Sequence, residues 1–194
     1  MKCAYCEDKI CSQGKDCTEI RNEIIEQYHS SREAIEMAKV ASFIEGKYYM
    51  KLTRVEELIM FCKEMKYERL GIAFCIGLSD ESNILHKILD KQRFKVFSVC
   101  CKVCGIQKDN LNLEKIDKTR PETMCNPLGQ TNILNQEKTD LNIIFGLCIG
   151  HDIIFSKYSN APATTLVVKD RVLSHNPIGA IYSRYYRRNK FNIT

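Results

Sequence analysis

The chain has no tryptophan, and together with its abundant Lys, Ile and Asn this is a compositional bias without mechanistic weight. It lacks any apolar run approaching the roughly 20 residues that a membrane-crossing helix needs, so no membrane association is expected. No apolar signal region precedes its first cysteines, which follow directly on Met1-Lys2. A cytosolic location is the resulting expectation. In a reducing cytosol a disulfide scaffold is not how cysteines are used. Yet there are 11 of them, an odd number that cannot pair completely within one chain. So many thiols leave metal ligation, redox chemistry or burial as small apolar side chains.

What the chain does have is the composition of a globular protein. Hydrophobic residues make up 44% and charged residues 27%, enough for one full domain with a sizeable core. Part of the net charge of +5 falls in Arg184, Arg187, Arg188 and Lys190, interleaved with Tyr182, Tyr185 and Tyr186. Such a stretch could meet an anion or a nucleic acid. The plainer reading is the solvated face of a C-terminal helix with cations at its negative end. Nucleic acid is therefore not the expected partner. A small molecule or a redox partner is, and a homo-oligomer stays open.

Residues 1–20 form the first expected segment. Cys3, Cys6, Cys11 and Cys17 follow a Cys-x2-Cys-x4-Cys-x5-Cys pattern, with only Ala4, Tyr5 and Ile10 as apolar company. A segment that cannot bury a core can be held by a bound metal, which supplies folding free energy directly. Zinc and iron–sulfur are not separated by this spacing.

Residues 21–68 are expected to be helical and packed on the main domain. Ser30 with Glu33 and Thr53 with Glu56 have the spacing of capping boxes. Cys62 lies on the apolar stripe of Val55, Leu58 and Ile59 and is expected to be a core thiol. From residue 69 to 194 the pattern becomes alternating strands and helices, which predicts an α/β domain with an open, mostly parallel sheet of about four strands and flanking helices. The strands are expected over Leu70–Cys75, Phe94–Cys100, Leu141–Cys148 and Ala163–Lys169. Helices are expected over Ser79–Asp90, from Asn126-Pro127, over His151–Tyr158 and from Asn176-Pro177. The polar stretch 105–124 is expected to be a long loop.

The cysteines fall where such a fold does its chemistry. Ligands bind beyond the carboxyl ends of the strands in open parallel sheets. Cys75, Cys100 with Cys101, and Cys148 close three of the expected strands, and Cys125 immediately precedes a helix start. One reading is an iron–sulfur cluster of the 4Fe-4S kind, held by Cys75, Cys100 or Cys101, Cys125 and Cys148. A second is a thiol or dithiol enzyme with only structural zinc, Cys148 acting as nucleophile with His151 as its base. A third is a non-enzymatic, zinc-stabilised binding module. Cys104 forms a Cys-x2-Cys pair with Cys101, a weak signal by itself. His151, Asp152 and His175 flank the same edge as candidate proton carriers. Lys169 and Arg171, after the fourth strand, are candidates for gripping an anionic substrate.

GIAFCIGL, FSVCCKVCGI, CNPLGQTNILN, TDLNIIFGLCIGHD, KYSNAPATTLVVKDRVLSHNP and the N-terminal cysteines together resemble the uncharacterised cysteine-rich family known as domain of unknown function 1847. The resemblance spans nearly the whole chain. It implies metal ligation by Cys3, Cys6, Cys11 and Cys17. It also marks Cys75, Cys100, Cys101, Cys125, Cys148, His151, Asp152, Lys169, Asp170, Arg171 and His175 as motif positions. Cys104 stands where the family is expected to carry glycine. The expectation is a metal-binding protein, with iron–sulfur redox chemistry as its most specific form.

Overall fold

In the computed structural model, which describes residues 1–193, the first 49 residues cluster as one unit and the chain from Met50 onward as another. The first unit opens with two short 3-10 turns, Cys3–Tyr5 and Ile10–Gln13, and no side chain of residues 1–20 is buried. Helices α1 (Arg21–Ser30) and α2 (Arg32–Tyr48) follow. The cap between them differs from the expected Ser30–Glu33 box. Ser31, in extended conformation, accepts a hydrogen bond from Ala34 N at 3.2 Å, while Ser30 closes α1 by donating to Gln27 O. Only an extended residue can turn its oxygen toward the exposed amides of a first turn.

The second unit begins with α3 (Arg54–Glu64). Its capping box is complete, with Glu56 N donating to Thr53 Oγ1 and Thr53 N donating to Glu56 Oε2. Then come β1 (Arg69–Phe74), α4 (Ser79–Lys91), β2 (Lys95–Cys100), α5 (Pro127–Gln136), β3 (Leu141–Phe145), α6 (His151–Tyr158), β4 (Ala163–Val167), α7 (Ile178–Tyr182) and α8 (Arg184–Asn189). The four strands form one parallel sheet in the order β2-β1-β3-β4.

Alternation along the strands divides the core into two layers. Leu70, Ile72, Ile143 and Phe145 pack with Leu58 and Cys62 of α3 and with Leu85 and Leu89 of α4. Ala73 and Ile144 pack on the other face with Leu134 of α5 and Phe155 of α6. Every residue of β3 is buried, the polar Asn142 among them, as in a strand covered on both faces. Cys62 is fully buried, and burial, with help from Asp140, pushes its thiol up to about 12. It is a core side chain.

β3 stops three residues short of Cys148. Gly146 has φ +73°, and a Cβ there would lie 2.2 Å from Leu78 Cδ1. That left-handed turn lifts the chain out of the sheet, so Cys148 lies in the following loop. The C-terminal helix expected as one piece is two, because Ser183 is extended and caps α8 through Tyr186 N. Among the described residues no helix is long and apolar enough to cross a membrane.

The strand order fixes where a crevice can form. The chain leaves β1 for β2 on one side and reaches β3 on the other. The switch point therefore lies between β1 and β3, at their carboxyl ends.

Candidate functional site

Backbone hydrogen bonds gather four cysteine-bearing segments at that edge. Cys75 N donates to Phe145 O (3.1 Å), Cys101 N to Phe74 O (2.8 Å) and Asn126 N to Cys101 O (2.7 Å). The start of α5 is fastened there too. Asn126 caps the helix by accepting from Gly129 N (2.8 Å) and donates to Val103 O. The fully buried Gln130 donates to Val99 O (2.7 Å) and Phe74 O (3.2 Å). Cys125 thus stands just before a pinned helix N-terminus, whose dipole favours a thiolate.

The sulfurs are not equivalent. Cys101 is buried, receives the Ile76 N–H at 3.4 Å, and shares a hydrogen bond with Cys125. Cys125 is half-buried and also meets His151, while Lys102 Nζ lies 3.6 Å from its sulfur and donates to Thr123 O at 2.6 Å. The Cys101 hydrogen bond first, then His151 and the Lys102 charge, bring Cys125 down to about 4. Cys101 moves the other way, raised first by the hydrogen bond it gives Cys125 and then by burial. The pair therefore holds one proton, on Cys101, over the physiological range.

A second sulfur–cation contact lies alongside. Arg171 Nη2 is 3.0 Å from Cys148 Sγ, and Arg171 is close enough to Cys75 and Cys125 to interact with both sulfurs. Those contacts, the Cys148 hydrogen bond above all, raise its pKa. Lys169 reaches the same place: a Cβ on Gly77 would lie 3.4 Å from Lys169 Nζ and 4.0 Å from Cys75 Sγ.

The structure thus brings Cys75, Cys101, Cys125, Cys148, His151, Lys169 and Arg171 to one edge. His151, three residues after Cys148, meets Cys125, and Arg171 is the partner of Cys148. The Nδ1 of His151 is buried without a hydrogen-bond partner among the described residues. Cys100 is half-buried against the apolar cluster of Val99, Leu134 and Phe155, and Cys101 is the thiol that interacts with Cys125. Asp152 accepts from Ile153 N and lines a shallow groove of about 460 Å³ with Ile144, Ser156 and Thr165. His175 closes the loop after β4: its Nδ1 accepts from Asp170 N, and its own N donates to Asp170 O.

Lys102 is the residue that pattern reading passes over. It directly follows Cys100-Cys101, and that adjacency was its one visible signal. Asn126 and Gln130 were visible only as a helix start. Cys104 is exposed with φ +69°, a conformation that favours glycine. Cys104→Gly should therefore stabilise the fold by about 1 kcal/mol. Urea unfolding checks this, and a lower midpoint would contradict it.

The N-terminal cysteines are all exposed. Cys6 Sγ contacts Asp8 Oδ1, Cys11 Sγ contacts Lys9 O at 3.7 Å, and Lys9 Nζ bridges the carbonyls of Cys3 and Cys6. Among the described residues no three His, Cys, Asp or Glu side chains gather in a geometry that could hold a metal ion. At the N-terminus the four soft donors suit a metal chemically, but the two turns would have to close to bring them together. At the sheet edge, Lys102, His151 and Arg171 occupy the sulfurs of Cys125 and Cys148 that a cluster would need.

Comparison with known proteins agrees with the motifs. An uncharacterised protein of Methanocaldococcus jannaschii is 60% identical over 187 residues, covering 96% of each chain. No solved structure matches. The family model described as "Protein of unknown function (DUF1847)" matches residues 11–166, a span that holds Cys101, Cys125, Cys148 and His151 and stops short of Lys169 and Arg171. The chain therefore belongs to the DUF1847 family of proteins of unknown function.

Proposed function

We propose that the chain is a cytosolic dithiol oxidoreductase whose working pair is Cys101 and Cys125. The observation that carries this reading is the seating of the two thiols side by side, with Asn126 N donating to Cys101 O at 2.7 Å and Lys102 Nζ 3.6 Å from the Cys125 sulfur. Cys125 is the more accessible sulfur and Cys101 is buried, so the roles divide. The Cys125 thiolate attacks one sulfur of a substrate disulfide, and the other substrate sulfur leaves as a thiolate. Cys101 gives up its proton, with His151 as the nearby base, and attacks the Cys125 sulfur. The second substrate thiolate leaves and a Cys101–Cys125 disulfide forms. The substrate gains two electrons and the protein pair loses two.

Reduced protein treated anaerobically with a small disulfide should release two substrate thiols per Cys101–Cys125 crosslink found by peptide mass spectrometry. Cys101→Ser should stop at a mixed disulfide on Cys125. A crosslink elsewhere, or a mixed disulfide resolved normally without Cys101, would overturn the assignment. So would brown protein containing iron and acid-labile sulfide. That outcome would favour the cluster on Cys75, Cys101, Cys125 and Cys148.

A metal at Cys3, Cys6, Cys11 and Cys17 is a separate reading, supported by one observation. Nothing in residues 1–20 is buried, so side-chain packing does not hold the turns in place. Metal would then act structurally. Zinc or iron retained after purification, with those four thiols protected from alkylation until a chelator is added, is the expected result.

A further inference from the structure

The dithiol reading leaves the substrate unnamed, and three cations bear on it. Lys102 Nζ lies 3.6 Å from Cys125 Sγ, Arg171 Nη2 lies 3.0 Å from Cys148 Sγ, and Lys169 Nζ and Cys75 Sγ both flank Gly77. They come from two separate connections, after β2 and after β4. Among the described residues none of the three forms an ion pair with a carboxylate. The acids closest to them are otherwise engaged. Asp170 accepts from Val172 N and Leu173 N, and Glu122, near enough to feel the Lys102 charge, pairs with Lys108 at 2.8 Å.

Stabilising one thiolate does not call for three cations. Cys125 already has the Cys101 hydrogen bond and His151. Arg171 is exposed, with further donors in its planar fork beyond the one aimed at Cys148. Such a fork matches a carboxylate or phosphate in two-point contact.

We propose that Lys169 and Arg171, with Lys102 beside them, form an anion-recognition rim, and that the substrate is a small disulfide carrying a carboxylate or comparable anion close to its sulfur. This rests on the dithiol reading and adds the substrate's charge to it. The anion would sit on Arg171 and Lys169 while its sulfur faces Cys125. These two residues are substrate-positioning groups, and the electron transfer stays with the thiols.

Three disulfides of similar size test it on the reduced full-length chain: dithiodiglycolate (dianionic), 2-hydroxyethyl disulfide (neutral) and cystamine (dicationic). The readout is the rate of Cys101–Cys125 crosslinking by mass spectrometry, divided for each disulfide by its rate at the exposed Cys104. The dianion should react about tenfold faster than the neutral disulfide and the dication more slowly still, a spread that shrinks in high salt. In K169Q/R171Q the ratio of the dianion's rate to the neutral disulfide's should fall to within about twofold, and Arg171→Lys should restore part of it. Equal rates for all three charges, or undiminished selectivity in the double variant, would overturn the rim. If none of the three produces the crosslink, the dithiol reading itself fails and the rim falls with it.

Discussion

At pH 5.5, iodoacetamide is expected to alkylate Cys125 about tenfold faster than an ordinary exposed thiol, and Cys125→Ser should abolish that fast phase. Two opposed effects give this figure. An ordinary thiol near pKa about 8.5 is only about 0.1% thiolate at that pH, whereas Cys125, brought down to about 4, is almost entirely thiolate. That is a gain of about a thousandfold. Lower basicity weakens the nucleophile, and a Brønsted slope of about 0.45 returns about a hundredfold of the gain. The Cys125 rate should rise through about pH 4 and stay flat to about pH 8, while ordinary thiols keep climbing and overtake it. A Cys125 rate still rising past pH 7 would contradict the charge assignment. Replacing His151 with alanine removes one of the lowering contacts, so the midpoint should move up.

The same pair shapes stability against pH. The folded Cys125 value lies below the unfolded one, so its contribution is present above about pH 8.5 and is lost as pH falls toward about 4. The folded Cys101 value lies above the unfolded one, so its contribution is present below about pH 8.5 and is lost as pH rises. Between those limits the folded pair binds one proton and the unfolded pair two. Stability from this source therefore rises with pH to a maximum near about 8.5 and declines beyond it.

Gly71→Ala is expected to lose about 3–5 kcal/mol, the largest stability effect foreseen for a one-carbon change in this sheet. A Cβ at Gly71 would lie 2.0 Å from Asn142 Oδ1 and 2.9 Å from Leu134 Cδ1. Asn142 is fully buried on β3, accepting from Thr139 Oγ1 (2.8 Å) and donating to Ser159 Oγ (2.8 Å). The methyl group would displace that amide and strand its partners, adding a lost buried network to the overpacking. Urea unfolding measures the loss. Asn142→Ala in the Gly71→Ala background should be milder than the sum of the two single changes, because both act on one contact. Strict additivity would rule out this cause.

Side-chain periodicity made the sheet legible. The stretch Leu141–Phe145, apolar but for Asn142, could bury both faces only as a central strand, and thiols at strand ends could meet only at a carboxyl edge. Periodicity does not say which neighbour a loop side chain meets. His151 is three residues from Cys148 and 26 from Cys125, yet it meets Cys125, because the pinned start of α5 brings Cys125 against α6. The end of β3 depended on the left-handed turn at Gly146, and the break before α8 on the extended Ser183. Both are single-residue backbone states that hydrophobic patterning does not encode. Lys102 became visible only once Thr123 and Cys125 were placed beside it.

The stretch between Cys101 and Cys125 carries no regular element beyond the 3-10 turns Val103–Gly105 and Lys108–Leu111 and a bridge from Gln107 to Thr123. A disulfide joining its two ends would close a loop of about 25 residues, an unfolded-chain constraint of about 3 kcal/mol in the chain-entropy picture. Folding would then hold the crosslinked form more tightly than the open one, and the difference has an electrochemical value. At about 30 mV per 1.4 kcal/mol it draws the potential of the pair down by roughly 65 mV. The length of an otherwise featureless connection would thus offset part of the opposite pull of the Cys125 thiolate, whose stabilisation favours the reduced pair.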